Sequence, residues 1–246
     1  MKTYGLIGES LIHSFSPSFF KEKFEREYIE DAQYLSFSLA SMNDFAKLLE
    51  EYKLSGLNVT IPYKQEIIPF LDELRGAAAE IQAVNCIAFE NGKLIGYNTD
   101  VIGFERSIKP LIGEEHSYAM IMGTGGAAQA VAYVLDKLQI QYTFVSRKDN
   151  DDFLSYEVAE ALLSEFPIII NTTPLGTHPN EDDSPLKSFD GIGKDHLVYD
   201  LIYNPGITKL LAQCAERGAT MKNGVEMLEI QAEESWKIWN KQAYEN

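Results

Sequence analysis

Apolar residues in this chain gather in short runs, and the stretches between those runs carry apolar positions at helical spacing. Runs at 4–7, 57–61, 118–122, 142–145, 168–170 and 197–201 predict strands. Pro17 suits the first turn of a helix, with Phe19, Phe20, Phe24 and Tyr28 spaced for one buried face. Ser41 can cap a second helix carrying Phe45, Leu48 and Leu49. Asn91-Gly92, between apolar runs at 87–89 and 94–97, is a two-residue hairpin signal. A helix over 100–112 then bridges to a second unit, and a long helix runs from 225 to about 244 with Leu228, Ala232, Trp236 and Trp239 along one side. The pattern leaves open which unit that last helix packs on. Strands alternating with helices predict an α/β architecture, divided near residue 101.

Composition narrows the partners. The 246 residues carry 21 Lys and Arg against 37 Asp and Glu, a net charge of −16. Such a chain would bind phosphodiesters against its own field, so nucleic acid is not expected. A small anionic substrate requires local positive charge or many neutral donors at its site. Cys86 and Cys214 stand too far apart in sequence for a thiolate pair motif, and His13, His116, His178 and His196 show no ligand spacing. No metal is expected. No run approaches the roughly 20 apolar residues of a membrane span, and the first residues enter a strand with no basic-then-apolar leader. These features imply a cytoplasmic protein with no membrane partner.

Gly123-Thr124-Gly125-Gly126-Ala127 lies between the 118–122 strand and a helix over 127–138. Glycines in that order permit a tight turn, close approach of backbone to a pyrophosphate, and packing of helix on strand. A diphosphate there meets free N–H groups at the positive end of the helix dipole. The following strand ends in Ser146-Arg147-Lys148, where a NAD-type fold carries Asp or Glu for the ribose 2′-hydroxyl. Two cations at that place favour a 2′-phosphate and hence NADP. Asp149, Asp151 and Asp152 follow closely and offset part of that attraction.

Polar clusters recur in the first hundred residues at strand ends and helix starts: Ser14 and Ser16, Asn58 and Thr60, Asn85, and Asn98-Thr99-Asp100. Hydroxyls, amides, an amine and a carboxylate suit a polyhydroxylated ligand, although each residue alone is equally a cap or turn former. Lys64 follows Pro62 at an expected helix start, where the macrodipole disfavours a cation. It is either a solvated lysine or a functional one partnered by Asp100.

Together these segments resemble the shikimate dehydrogenases. The resemblance rests on Ser14-x-Ser16-Pro17, Asn58-Val59-Thr60-Ile61-Pro62-x-Lys64, Ala83-Val84-Asn85, Gly96-x-Asn98-Thr99-Asp100, Gly123-x-Gly125-Gly126-Ala127, Asn171-Thr172-Thr173-Pro174-x-Gly176, Asp200-x-Ile202-Tyr203 and Gly224-x-x-Met227-Leu228-x-x-Gln231. It covers nearly the whole chain, with Cys86 where the family usually has Thr. It implies an N-terminal α/β substrate domain over 1–101, a Rossmann-like doubly wound NADP domain over 102–224, and a C-terminal helix over 225–246 returning to the first domain.

By the same resemblance Lys64 and Asp100 are the catalytic pair. Ser14, Ser16, Asn58, Thr60, Asn85, Tyr203 and Gln231 contact the substrate, shikimate or 3-dehydroshikimate. Gly123, Gly125, Gly126, Ala127, Ser146, Arg147, Lys148, Asn171, Thr172, Leu201 and Gly224 face the cofactor. The implied assembly is a monomer or homodimer. Two other readings compete with this one: a paralogue that uses NAD on a related ring acid, and a nucleotide sensor without chemistry. Retention of both Lys64 and Asp100 speaks against the sensor. No G-x-S-x-G elbow supports a hydrolase.

Overall fold

The structure is a computed structural model that describes residues 1–12, 14–147 and 152–241. It divides into two units, Met1–Gly103 with the segment from Leu228 onward, and Phe104–Met227. The elements of the first are β1 (Lys2–Gly8), α1 (Phe15–Arg26), β2 (Ala32–Ser38), α2 (Phe45–Glu51), β3 (Leu54–Val59), β4 (Glu73–Leu74), α3 (Ala77–Ile81), β5 (Cys86–Glu90) and β6 (Lys93–Tyr97). The chain leaves this unit within α4 (Asp100–Ile108) and re-enters it within the last helix.

Its six strands form a mixed sheet in the order β2-β1-β3-β5-β6-β4. Period-two alternation sends neighbours to opposite faces. Ile87 joins a core with Phe45, Leu48 and Leu57, whereas Cys86 and Ala88 join one with Phe20, Ala232 and Trp239. The second core holds the final helix on the sheet: the indole of Trp239 donates to the Ile87 carbonyl over 3.0 Å. A side chain at Gly56 would collide with that indole, so glycine is required there for packing.

The second unit contains β7 (Tyr118–Met122), α5 (Gly126–Lys137), β8 (Gln141–Val145), β9 (Phe153–Leu154), α6 (Tyr156–Ala161), β10 (Ile168–Asn171), β11 (Leu197–Asp200), α7 (Lys209–Ala215), β12 (Thr220–Lys222) and the start of α8 (Val225–Trp239). All its strand pairs are parallel, in the order β12-β11-β10-β7-β8-β9. Numbered within the unit this is the Rossmann order, with its switch point between β7 and β10. β10 and β11 are buried along their whole length, as strands covered on both faces must be.

Several expectations are corrected. Lys64 does not open a helix. Residues 61–67 form successive turns, and the Lys64 carbonyl accepts from Val84 N–H over 2.7 Å in place of a helical bond. Pro69 adds no donor that could extend a helix through the segment. Tyr28 is 88% exposed rather than buried. It takes φ +55° just past α1, and Ile29 N–H closes the helix end on the Phe24 carbonyl. The helix expected over 100–112 stops at Ile108, and Lys109–Leu111 tightens into a 3₁₀ turn containing Pro110. Of the sequence-derived candidates, Lys148 falls outside the described residues, as do His13 and the end of the final helix pattern.

Candidate active site

β1 and β3 run parallel with Ile7 opposite Val59, so the loops leaving both strands emerge at one rim of the first sheet. β5 runs antiparallel to β3, with Cys86 opposite Asn58, and therefore starts at that rim. β6 ends there, with Tyr97 opposite Cys86. Topology alone thus gathers Thr60, Lys64, Asn85 and Asp100 from three separate connections. Thr60 is fixed there by its N–H, which donates to the Ile7 carbonyl over 2.9 Å.

The Lys64 ammonium donates to Asp100 Oδ2 over 2.6 Å. Lys64 is 15% exposed and Asp100 6%, so the pair is partly screened yet open on the lysine side. Asp100 opens α4, where the helix dipole favours a carboxylate. Its other oxygen accepts from Asn85 Nδ2 over 2.8 Å, and Asn85 Oδ1 accepts from Thr99 N–H over 2.7 Å. Gln231 on α8 brings its Oε1 to 3.4 Å from Asn85 Nδ2.

Asn58 donates to the Asn85 carbonyl over 3.1 Å and to Ser235 Oγ over 2.9 Å, and accepts from the Tyr34 hydroxyl over 2.8 Å. Both its amide hydrogens are engaged, as are those of Asn85, which donate to Thr99 Oγ1 over 2.9 Å and to Asp100. Burial raises the Tyr34 phenol well above its ordinary pKa, with Ser16 as a hydrogen-bonding neighbour that moderates the shift. Tyr34 therefore remains a donor. Ser14 occupies the N-cap of α1 with extended backbone, but its hydroxyl makes no capping bond. Burial pushes the Cys86 thiol up to about 12, which leaves it an unreactive, small core residue.

In the second unit Gly123 adopts φ +108°, and a Cβ there would stand 2.6 Å from Thr172 Oγ1. Gly125 has open space where its Cβ would be. α5 starts immediately after it with no side-chain cap, so its first N–H groups remain for an anion. Ala127 lies in that first turn. A turn that excludes side chains at one glycine and leaves room at the next fits a pyrophosphate, and it stands at the switch point of the sheet.

Thr172 donates from both N–H and hydroxyl to the Met122 carbonyl, over 2.9 and 2.7 Å, fixing the loop after β10 beside the glycine turn. Asn171 is fully buried; its amide donates to Asp200 Oδ1 over 3.0 Å and its oxygen accepts from Thr173, so it acts on the loop rather than on a ligand directly. Ser146 is buried and Arg147 exposed at the end of β8. A Cβ at Gly224 would strike the Leu201 carbonyl. Tyr203 is half-buried, and burial raises its phenol pKa.

Two residues of the polar network escaped sequence reasoning. Ser235 lies one turn beyond Gln231 on the same face of α8, a readable i,i+4 signal. Tyr34 had none, because its strand was not recognised. Among the described residues no group of three or more His, Cys, Asp and Glu is placed to hold a metal, and no helix is long and apolar enough to cross a membrane.

A Rossmann-ordered sheet with this glycine turn, in a chain that also builds a lysine–carboxylate pair, defines the class: a dinucleotide-dependent oxidoreductase. Residues 6–87 match the family described as the shikimate dehydrogenase substrate binding domain. The shikimate dehydrogenase (NADP(+)) of Clostridium beijerinckii is 40% identical, covering 100% of this chain and 94% of its own. The crystal structure of shikimate dehydrogenase from Aquifex aeolicus is similar at a TM-score of 0.87 and 38% identity, over 98% of this chain and 93% of that one. A shikimate dehydrogenase solved in complex with NADP+ is similar at 0.83 and 36% identity, over 98% and 90%. The chain belongs to the shikimate dehydrogenase family.

Proposed function

We propose that this protein catalyses the reversible NADP-dependent reduction of 3-dehydroshikimate to shikimate, a step of aromatic amino acid biosynthesis. The observation that carries the reading is Lys64 Nζ held 2.6 Å from Asp100 at the rim where Thr60 and Asn85 converge. The curated relatives named as NADP(+) enzymes support it. In this reading residues 1–101 and 225–246 hold the substrate, and 102–224 hold the cofactor.

When bound, the cofactor supplies hydride to the ketone carbon. Lys64 donates a hydrogen bond to the developing alkoxide and then its proton; the roles reverse in oxidation. Asp100 holds the Lys64 ammonium by an ion pair over 2.6 Å, and Asn85 holds Asp100 in place. The hydroxyls of Ser14 and Ser16 bind the substrate carboxylate, while Thr60, Asn85, Tyr203 and Gln231 bind ring oxygens. Asn58 supports the same ligand through Asn85, Ser235 and Tyr34. Gly123, Gly125, Gly126 and Ala127 shape the pyrophosphate turn. Thr172 borders it, Asn171 sets the loop beside it, Leu201 and Gly224 face the cofactor, and Ser146, Arg147 and Lys148 receive the adenosine 2′-phosphate.

One spectrophotometric experiment tests the whole reading. NADPH and NADH are each offered with 3-dehydroshikimate and with 3-dehydroquinate. Oxidation of NADPH with 3-dehydroshikimate at the highest kcat/KM is expected. Faster turnover of 3-dehydroquinate with NADH defeats both the substrate and the cofactor assignment.

A further inference from the structure

Asp200 ends β11 with no exposed surface and takes no part in the reaction just described. Three donors from separate points of the chain converge on its carboxylate. Thr208, the N-cap of α7, donates to Oδ2 over 2.7 Å. Asn171, the last residue of β10, donates to Oδ1 over 3.0 Å, and Ile202 N–H donates to the same oxygen over 3.1 Å. The segment that follows is gripped on its other bonds too. Leu201 N–H donates to the Asn171 carbonyl over 3.0 Å, and the Ile202 carbonyl accepts from Gly224 N–H over 3.0 Å. Gly224 must be glycine because its Cα passes against the Leu201 carbonyl.

We infer that Asp200 is a positioning residue for the dinucleotide: its carboxylate fixes the 201–202 backbone, and through Ile202 it places Leu201 and Gly224 against the bound cofactor. A carboxylate is the side chain suited to the task, since it alone accepts from three donors and offers none. An asparagine would turn an NH₂ toward one of them. A buried carboxylate is costly unless hydrogen-bonded; here three donors offset that cost, and an apolar residue in its place would leave all three unpaired and the 201–202 backbone unheld. The inference rests on the cofactor reading above for its ligand, but not for its geometry.

The test compares the wild-type protein with Asp200→Asn and Asp200→Ala in two measurements. Direct titration with NADPH, without any ring substrate, is expected to give a Kd raised at least about tenfold in Asp200→Ala and less in Asp200→Asn, which retains one acceptor oxygen. Amide hydrogen exchange is expected to quicken at Gly224 as well as at Ile202, although the Gly224 N–H bonds to the Ile202 carbonyl and not to Asp200. Unchanged exchange at Gly224 overturns the anchoring, whatever the protein binds. Faster exchange with an unchanged Kd for NADPH overturns its relevance to the cofactor. Wild-type protein that binds NADH and not NADPH defeats the NADP assignment instead, and the exchange measurement still decides the role of Asp200.

Discussion

The amide of Asn58 at the end of β3 donates to the hydroxyl of Ser235 on α8 over 2.9 Å, joining residues that stand 177 apart in sequence. Ser235 in turn donates to the Gln231 carbonyl over 2.9 Å and lies 3.2 Å from Thr99 Oγ1. The polar network around Asp100 is therefore closed by the last helix. That helix is held on the sheet by apolar packing of Trp239 and Ala232. The geometry of the rim depends on packing across the sheet.

Gly56→Ala tests that dependence. The added methyl would meet the Trp239 indole, which also carries the hydrogen bond to Ile87. Overpacking of this kind costs about 1–3 kcal/mol, read as a fall in the urea midpoint at constant m. Because Trp239 and Gln231 share α8, kcat/KM should fall with it. A variant of unchanged stability would show that the indole yields freely.

Lys64→Ala is expected to lower kcat by about 10²–10⁴-fold, the contribution of a positioned general acid. KM should change little, since the ammonium acts on charge that develops in the transition state. The reverse pattern, with kcat retained and KM raised, removes Lys64 from the proton transfer and makes it a binding residue.

Ser14→Ala should separate ligand binding from folding. The hydroxyl makes no capping bond on α1, so stability should stay within about 0.5 kcal/mol of wild type. If it binds the substrate carboxylate, apparent binding weakens by roughly 0.5–3 kcal/mol, read as a higher KM. A fall in Tm with constant KM would return Ser14 to the ordinary role of a cap.

Much of this fold was legible because its central strands are continuous apolar runs: 118–122 and 168–170 lie wholly within β7 and β10. What escaped was the rim of each sheet. β2, β4, β9 and β12 are the edge strands, and none was read from the sequence. An edge strand buries less, so its alternation is weak: β2 carries one buried residue, Phe37, and β12 none. Two of the others are only two residues long. The candidate site was legible as residue types in order, but the reason given for Lys64 was not the right one. Lys64 begins no helix of its own; a turn held by Val84 presents it to Asp100. Sequence also cannot show that the amides of Asn58 and Asn171 are engaged within the protein.

Asp200 gives the stability of the protein a predictable pH dependence. Burial raises its pKa from 3.8 to about 6, outweighing the lowering by Thr208, Ile202 N–H and Asn171. A carboxyl whose folded pKa exceeds its unfolded one binds more protons in the native state between the two values. Its contribution is therefore fully present below pH 3.8 and is lost as pH rises through about 6. A shift of this size corresponds to about 3 kcal/mol at 1.36 kcal/mol per unit. Other carboxylates titrate in the same range, so the effect is isolated by subtraction. The unfolding free energy of wild type minus that of Asp200→Asn, measured in urea from about pH 4 to 7.5, should become less favourable to wild type by a few kcal/mol, with its midpoint between the two pKa values. The asparagine carries no titrating proton, while all other groups cancel in the difference. Parallel profiles for the two proteins would mean that the three donors hold the Asp200 carboxylate as comfortably as water does.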